Sequence, residues 1–118
     1  MTGAWTVRLV AASERDYQEV VKRSARDFGP LQARVYAKTL SLAIAALSEK
    51  GIETIGIKER NDIGLGIFTL HAASHQRKTS HFLVLRVAEI RTIEILRILH
   101  ERMDLARHVS QAQEPNRH

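Results

Sequence analysis

The feature that most restricts the fold is a Gly-Pro pair that separates two long amphipathic segments. Before the pair, side chains from Tyr17 to Phe28 recur three or four residues apart, as on one face of a helix. After it, apolar residues continue with the same period until Gly51. Gly29 is typical of the position just past a helix, and Pro30 is typical of a first turn. Because the link is so short, the two helices are predicted to form an antiparallel hairpin.

A strand is predicted before the first helix. Residues 4–11, AWTVRLVA, alternate and are rich in β formers. Ser13 then occupies a typical N-cap position, with Asp16 three residues further on, so the helix is predicted to begin there. One face of the strand carries its apolar side chains, which are Trp5, Val7 and Leu9.

Further strands follow the helical hairpin. A polar segment, 52–62, is interpreted as a loop, and 74–80 as a hairpin connection. Three segments have strand patterns: 63–72, 81–87 and 92–99. The resulting order, β-α-α-β-β-β, predicts an α+β fold with the helical hairpin packed on one face of a small, mainly antiparallel sheet.

The chain length of 118 residues is typical of one domain, which we place at residues 1–108. The polar segment 109–118 is predicted to be a mobile tail. Cysteine is absent, which excludes disulfides and thiolate chemistry and fits a cytoplasmic protein. No apolar run reaches the roughly 18 residues that span a bilayer, so no membrane association is expected.

Charge narrows the class of partner. The chain has 18 Lys and Arg residues against 13 Asp and Glu residues, a formal net charge of +5. This excess favours an anionic partner, either nucleic acid or an acidic protein segment. It also occurs in soluble domains whose net charge prevents self-association.

Metal and nucleotide sites are not indicated. His71, His75 and His81 surround one predicted hairpin, and their spacing would suit zinc only on a helix. They are therefore interpreted as surface histidines. Gly64 and Gly66 are too few for a nucleotide-binding motif, and no serine hydrolase motif occurs. We expect neither a metal nor another cofactor.

Two arginines interrupt apolar strands. Arg86 follows Phe82 on its predicted face, and Arg97 follows Ile93 and Ile95. Such an arginine extends past the edge of the core, pairs with a buried carboxylate, or is turned outward by a β-bulge. The functional alternative is a basic, concave sheet face that receives an acidic peptide or a phosphate.

Several segments together resemble the RelE/ParE superfamily of type II toxins, and the ParE branch in particular. The resemblance covers about residues 5–108 and includes WTVRLVAASERDYQEV, FGPLQARVYAKTL and SHFLVLRV. Its most specific part is IEILRILHERMDLARH, a strand that ends in L-R-x-L-H-x-R-x-D. The resemblance implies a toxin that stabilises the cleavage complex of DNA gyrase with DNA, and a cognate antitoxin that holds the toxin inactive as helix and extended chain.

The RelE branch, whose members cleave messenger RNA on the ribosome, is the alternative. Such ribonucleases carry basic residues on the sheet and often a Tyr or His near the C-terminus. This chain has no tyrosine after Tyr36, which favours the ParE branch. His100 could still act as a general base. Direct binding of nucleic acid is considered secondary.

The resemblance also assigns site residues, none of them catalytic. Many ParE members carry a Y-R-x-x-Y strand, whereas this chain has HFLVLRV, so roles that depend on those tyrosines are not transferred. The candidate contacts with the target are Arg97, His100, Arg102 and Arg107. The candidate contacts with the antitoxin are Phe82, Val84 and Arg86.

Overall fold

Two helices pack on one face of a five-stranded sheet in the computed structural model, which describes residues 5–73 and 80–100. The elements in chain order are β1 (Thr6–Leu9), α1 (Ala11–Phe28), α2 (Pro30–Lys50), a 3₁₀ turn (Gly51–Glu53), β2 (Lys58–Glu59), β3 (Ile67–Ala73), β4 (Ser80–Glu89) and β5 (Thr92–His100).

The strands lie in the spatial order β1-β5-β4-β3-β2. β1 is parallel to β5, and the other neighbouring strands are antiparallel. The predicted α+β class and its mainly antiparallel sheet are therefore confirmed. Two predicted regions lie outside the described residues: most of the 74–80 connection, and the chain after residue 100, which includes the 109–118 tail. Within the part described, no helix has the length and apolar character needed to cross a bilayer.

The helical hairpin forms as predicted. Gly29 has a φ of 94°, a value that favours glycine, and its N–H donates to the carbonyl of Ala25 at 2.9 Å. Pro30 begins α2. The short link therefore reverses the chain as the Gly-Pro pair indicated.

The start of α1 differs from the prediction. The helix begins at Ala11, and Ser13 lies inside it, where its Oγ donates to the Val10 carbonyl at 2.9 Å. Val10 still donates its N–H to the carbonyl of Ile95 at 3.2 Å, so the chain passes from sheet to helix without a loop. Because there is no loop, Ser13 is not an N-cap residue and Asp16 is free for another role.

The main core lies between the helices and the inner face of the sheet. Leu40 and Leu47 of α2 are fully buried there against residues of the three central strands, which include Leu83, Leu85 and Ile95. Full burial of one large aliphatic side chain stabilises the fold by about 1.5–3 kcal/mol.

The segment before β3 was only partly predicted. Within the predicted loop, β2 pairs Lys58 and Glu59 with Thr69 and Phe68. β3 begins at Ile67, because turns occupy residues 61–63 and 65–66. Two residues suffice for this pairing, which is too short for alternation to be visible in the sequence.

A β-bulge in β5 changes the face on which Arg97 lies. Leu85 is opposite Ile95, whereas the preceding residue of β4, Val84, is opposite Arg97. Leu96 is therefore an extra residue. Since Val84 and Leu85 point to opposite faces, Ile95 and Arg97 do too. The predicted shared face of Arg97 with Ile93 and Ile95 is wrong, because the bulge interrupts the alternation.

The bulge also gives the outer face of the sheet a second apolar cluster. This outer cluster contains Ile67, Val84, Leu96 and Leu99, which are at most 2 % exposed, with Val10, Ile63 and Phe82 packed against it.

Candidate functional site

The described part of the predicted target site lies at the end of β5. β1 ends at Leu9, opposite Ile95, and α1 runs beside the rest of the strand. Arg97 and His100 both belong to this second half of β5 and are partly buried. Arg102 and Arg107, the other two predicted target contacts, lie outside the described residues.

Arg97 is held by a carboxylate of α1. Its Nε and Nη2 donate to the two carboxylate oxygens of Asp16 at 2.7 and 3.0 Å. The backbone N–H of Ile98 donates to the same carboxylate at 2.9 Å. The two side chains are 18 % and 15 % exposed, so the pair is largely shielded from water. Two of the interpretations open from the sequence are observed: Arg97 pairs with a largely buried carboxylate, and a β-bulge turns it away from the face of Ile93 and Ile95.

Arg86 takes part in a second ion-pair network, on the outer face. Its Nε donates to Glu94 at 3.0 Å, and Arg8 of β1 donates to the other Glu94 oxygen at 2.7 Å. Hydrogen bonding from Arg8 and Arg86 lowers the pKa of the Glu94 carboxyl, against the opposing effect of its burial. The same contact with Glu94 raises the pKa of Arg8.

The three predicted antitoxin contacts lie on this outer face, but they differ in exposure. Arg86 is 43 % exposed, and Phe82 is half-buried, with its ring 5.0 Å from that of His71. Val84 is fully buried in the outer cluster. Only Phe82 and Arg86 therefore present side-chain surface to a partner.

The histidines of the β3–β4 hairpin do not form one group. His71 is exposed on the outer face, opposite Phe82, while His81 points inward. His75 lies outside the described residues. The interpretation of His81 as a surface residue is wrong, since it is only 9 % exposed. Among the described residues, no group of three or more His, Cys, Asp or Glu side chains could hold a metal ion.

His81 instead belongs to a row of three contacting side chains on the inner face of the sheet, which we call the Tyr36–His81–His100 chain. The Tyr36 hydroxyl is hydrogen bonded to Nδ1 of His81. The ring of His100 meets that of His81 edge to face, with the centroids 5.4 Å apart. The sequence did not indicate this chain, because the three residues come from α2, β4 and β5.

A cleft of about 310 Å³ opens between α1 and the end of β5, and we call it the α1–β5 cleft. The Tyr36–His81–His100 chain and the Asp16–Arg97 pair both line it. Ser24 also lines it, from the buried face of α1. A polar residue in an otherwise apolar helical stripe was the one sequence signal for this cleft. The remaining lining residues are Glu19, Val20, Arg23, Asp27, Phe28, Ile98 and Leu99.

Comparison with known proteins identifies the fold. No family model matches the sequence, and no curated protein matches it. A chain from the solved structure of the chromosomal ParDE TA system from P. aeruginosa is similar, with a TM-score of 0.63 and 18 % sequence identity. The match covers 83 % of this chain and 97 % of the other. The chain therefore has a ParE-like fold, as its motifs indicated.

Proposed function

We propose that this chain is the toxin of a type II toxin–antitoxin system. The observation that carries the proposal is the fold, which matches almost the whole length of a chain from a ParDE TA system. The L-R-x-L-H-x-R-x-D segment at the end of β5 supports the same assignment. The protein acts by binding its target, and none of its residues is assigned a catalytic role.

The proposed target is DNA gyrase in its cleavage complex with DNA. The net charge of +5 suits a complex that contains DNA. His100 is the last residue of β5, and Arg102 and Arg107, which follow it in the sequence, complete the proposed contact surface. Arg97 contributes mainly by holding the end of β5 against α1, because its guanidinium is bound to Asp16.

The proposed antitoxin site is the outer face around Phe82 and Arg86. An aromatic ring and a half-exposed arginine on the same face of one strand suit an acidic segment with apolar residues, since the arginine attracts its charge and the ring binds its apolar side chains. Val84 lies between them on the same face, buried in the outer cluster.

A supercoiling assay with purified gyrase tests the target. The purified chain should block supercoiling, and cleaved DNA should accumulate with the enzyme. His100→Ala should weaken inhibition, whereas His71→Ala, on the outer face, should not. Normal supercoiling at excess protein would contradict the proposal for gyrase.

A second candidate is ribosome-dependent cleavage of messenger RNA. The observation that favours it is the contact between the His81 and His100 rings beside Arg97, since a pair of imidazoles can supply a base and an acid. Primer extension on translated messages after induction would then show new 5′ ends within codons. Unchanged messages together with blocked supercoiling would exclude this candidate.

A further inference from the structure

The α1–β5 cleft contains a buried polar group that the fold leaves unsatisfied. Ser24 is 6 % exposed, and its Oγ has no hydrogen-bond partner in the described structure. A buried hydroxyl without a partner costs about 1–3 kcal/mol, so such groups usually have a ligand or a water as partner. Because Ser24 lines the cleft, a molecule bound there can supply the missing hydrogen bond.

The walls of the cleft favour a flat, apolar ligand. Four ring-bearing side chains line it: Phe28, Tyr36, His81 and His100. Aliphatic surface comes from Val20, Ile98 and Leu99. Aromatic rings pack well against one another in offset or edge-to-face arrangements. A cavity of about 150 Å³ is sufficient for benzene, so the observed volume of about 310 Å³ accommodates a substituted ring.

Charges around the cleft largely offset one another. At the mouth, the exposed residues Glu19, Arg23 and Asp27 follow at four-residue intervals on α1 and alternate in sign. Asp16 and Arg97 form the ion pair described above. No single charge sign dominates the cleft, so an uncharged ligand suits it better than an anion.

We propose that the α1–β5 cleft binds an uncharged aromatic group that bears a hydroxyl, a phenol, with this hydroxyl hydrogen bonded to Ser24. The proposal goes beyond the toxin function and does not depend on gyrase or on an antitoxin. The phenol belongs either to a free small molecule or to a tyrosine side chain, which share this chemistry.

Titration of the full chain with p-cresol and with toluene, followed by amide chemical shifts in NMR, tests the site. p-Cresol should bind saturably, with shifts centred on Val20, Ser24 and Leu99. Toluene has the same ring and methyl group without the hydroxyl, and it should bind about fivefold more weakly, because one hydrogen bond is lost.

Ser24→Ala isolates the proposed contact. Alanine is a better helix former and removes the unsatisfied hydroxyl, so this variant should fold. The preference for p-cresol over toluene should fall from about fivefold to about equal affinity. Ser41→Ala, a matched change at an exposed position of α2, should keep the full preference.

N-acetyltyrosinamide separates the two sources of the phenol. If it binds with the same amide shifts, the cleft accepts a tyrosine side chain of a polypeptide; if only p-cresol binds, the ligand is a free phenol. Either result supports the site. Three results would overturn it: no saturable binding of p-cresol, equal affinity for toluene and p-cresol in the unaltered protein, or shifts centred away from the cleft.

Discussion

Each half of β5 takes part in a contact between arginine and carboxylate, but the two contacts have different structural roles. In the first half, Glu94 lies beside β1 and binds Arg8 and Arg86 on the outer face. In the second half, β1 has ended, and Asp16 of α1 binds Arg97 and the backbone of Ile98. Asp16 therefore satisfies a strand-edge N–H that a neighbouring strand would otherwise bind.

Because of this difference, Arg97 should matter more to stability than Arg8 or Arg86. Glu94 has two cations, which are 50 % and 43 % exposed, so the loss of either leaves a partner. Arg97 is only 18 % exposed, and Asp16 links it to the edge of the strand. An exposed ion pair contributes little, while breaking a buried one leaves an uncompensated charge.

The largest expected effect is that of Asp16→Ala. It should lower the free energy of unfolding by about 3 kcal/mol, because it removes the carboxylate that binds Arg97 and the acceptor of the Ile98 N–H. Urea unfolding measures this change. Asp27→Ala, at an exposed position of the same helix, should change stability by less than about 0.5 kcal/mol. Equal effects for the two variants would contradict the role given to Asp16.

Glu94→Gln should have a smaller, pH-dependent effect, about 2 kcal/mol at pH 7. The pKa of Glu94 is lowered in the folded protein, so its stabilisation is present above the ordinary value of 4.5 and is lost as the pH falls through the folded pKa. The stability difference between the unaltered chain and Glu94→Gln should therefore shrink below pH 4.5. Urea unfolding at pH 7 and at pH 3 checks this, and an unchanged difference would count against it.

The smallest expected effect is that of Glu89→Ala. Glu89 is 69 % exposed and lies 3.7 Å from Arg8, which is already bound to Glu94. Solvent screens such a pair, so the change should be within about 0.5 kcal/mol. Comparing the thermal unfolding of Glu89→Ala with that of Glu94→Gln would show whether one carboxylate or both contribute to stability through Arg8.

Long periodic segments made most of the fold predictable. The Gly-Pro pair and two helical stripes determined the hairpin, and β4 and β5 were found from their apolar runs. A bulge was one interpretation of Arg97, but its position at Leu96 was not predictable, because alternation assumes a regular strand. This assumption placed Arg97 on the wrong face.

Much of the candidate site depends on contacts between distant residues. Asp16 and Arg97 are 81 residues apart in the chain, and Tyr36 and His81 are 45 apart. Such partners cannot be found from local spacing. Asp16 was assigned to the start of a helix because acidic residues favour that position, and the assignment hid its true partner. The unusual position of Arg97 was visible, but the carboxylate that holds it was not.

The most direct test of this account is a double-mutant cycle on Asp16 and Arg97, with Asp16→Ala, Arg97→Ala and the double variant unfolded in urea. If Asp16 holds Arg97 at the exit of β5, the two single changes should be non-additive, with a coupling of about 1.5–2 kcal/mol. Effects that add to within about 0.3 kcal/mol would contradict the account, because they would show that Asp16 does not hold Arg97.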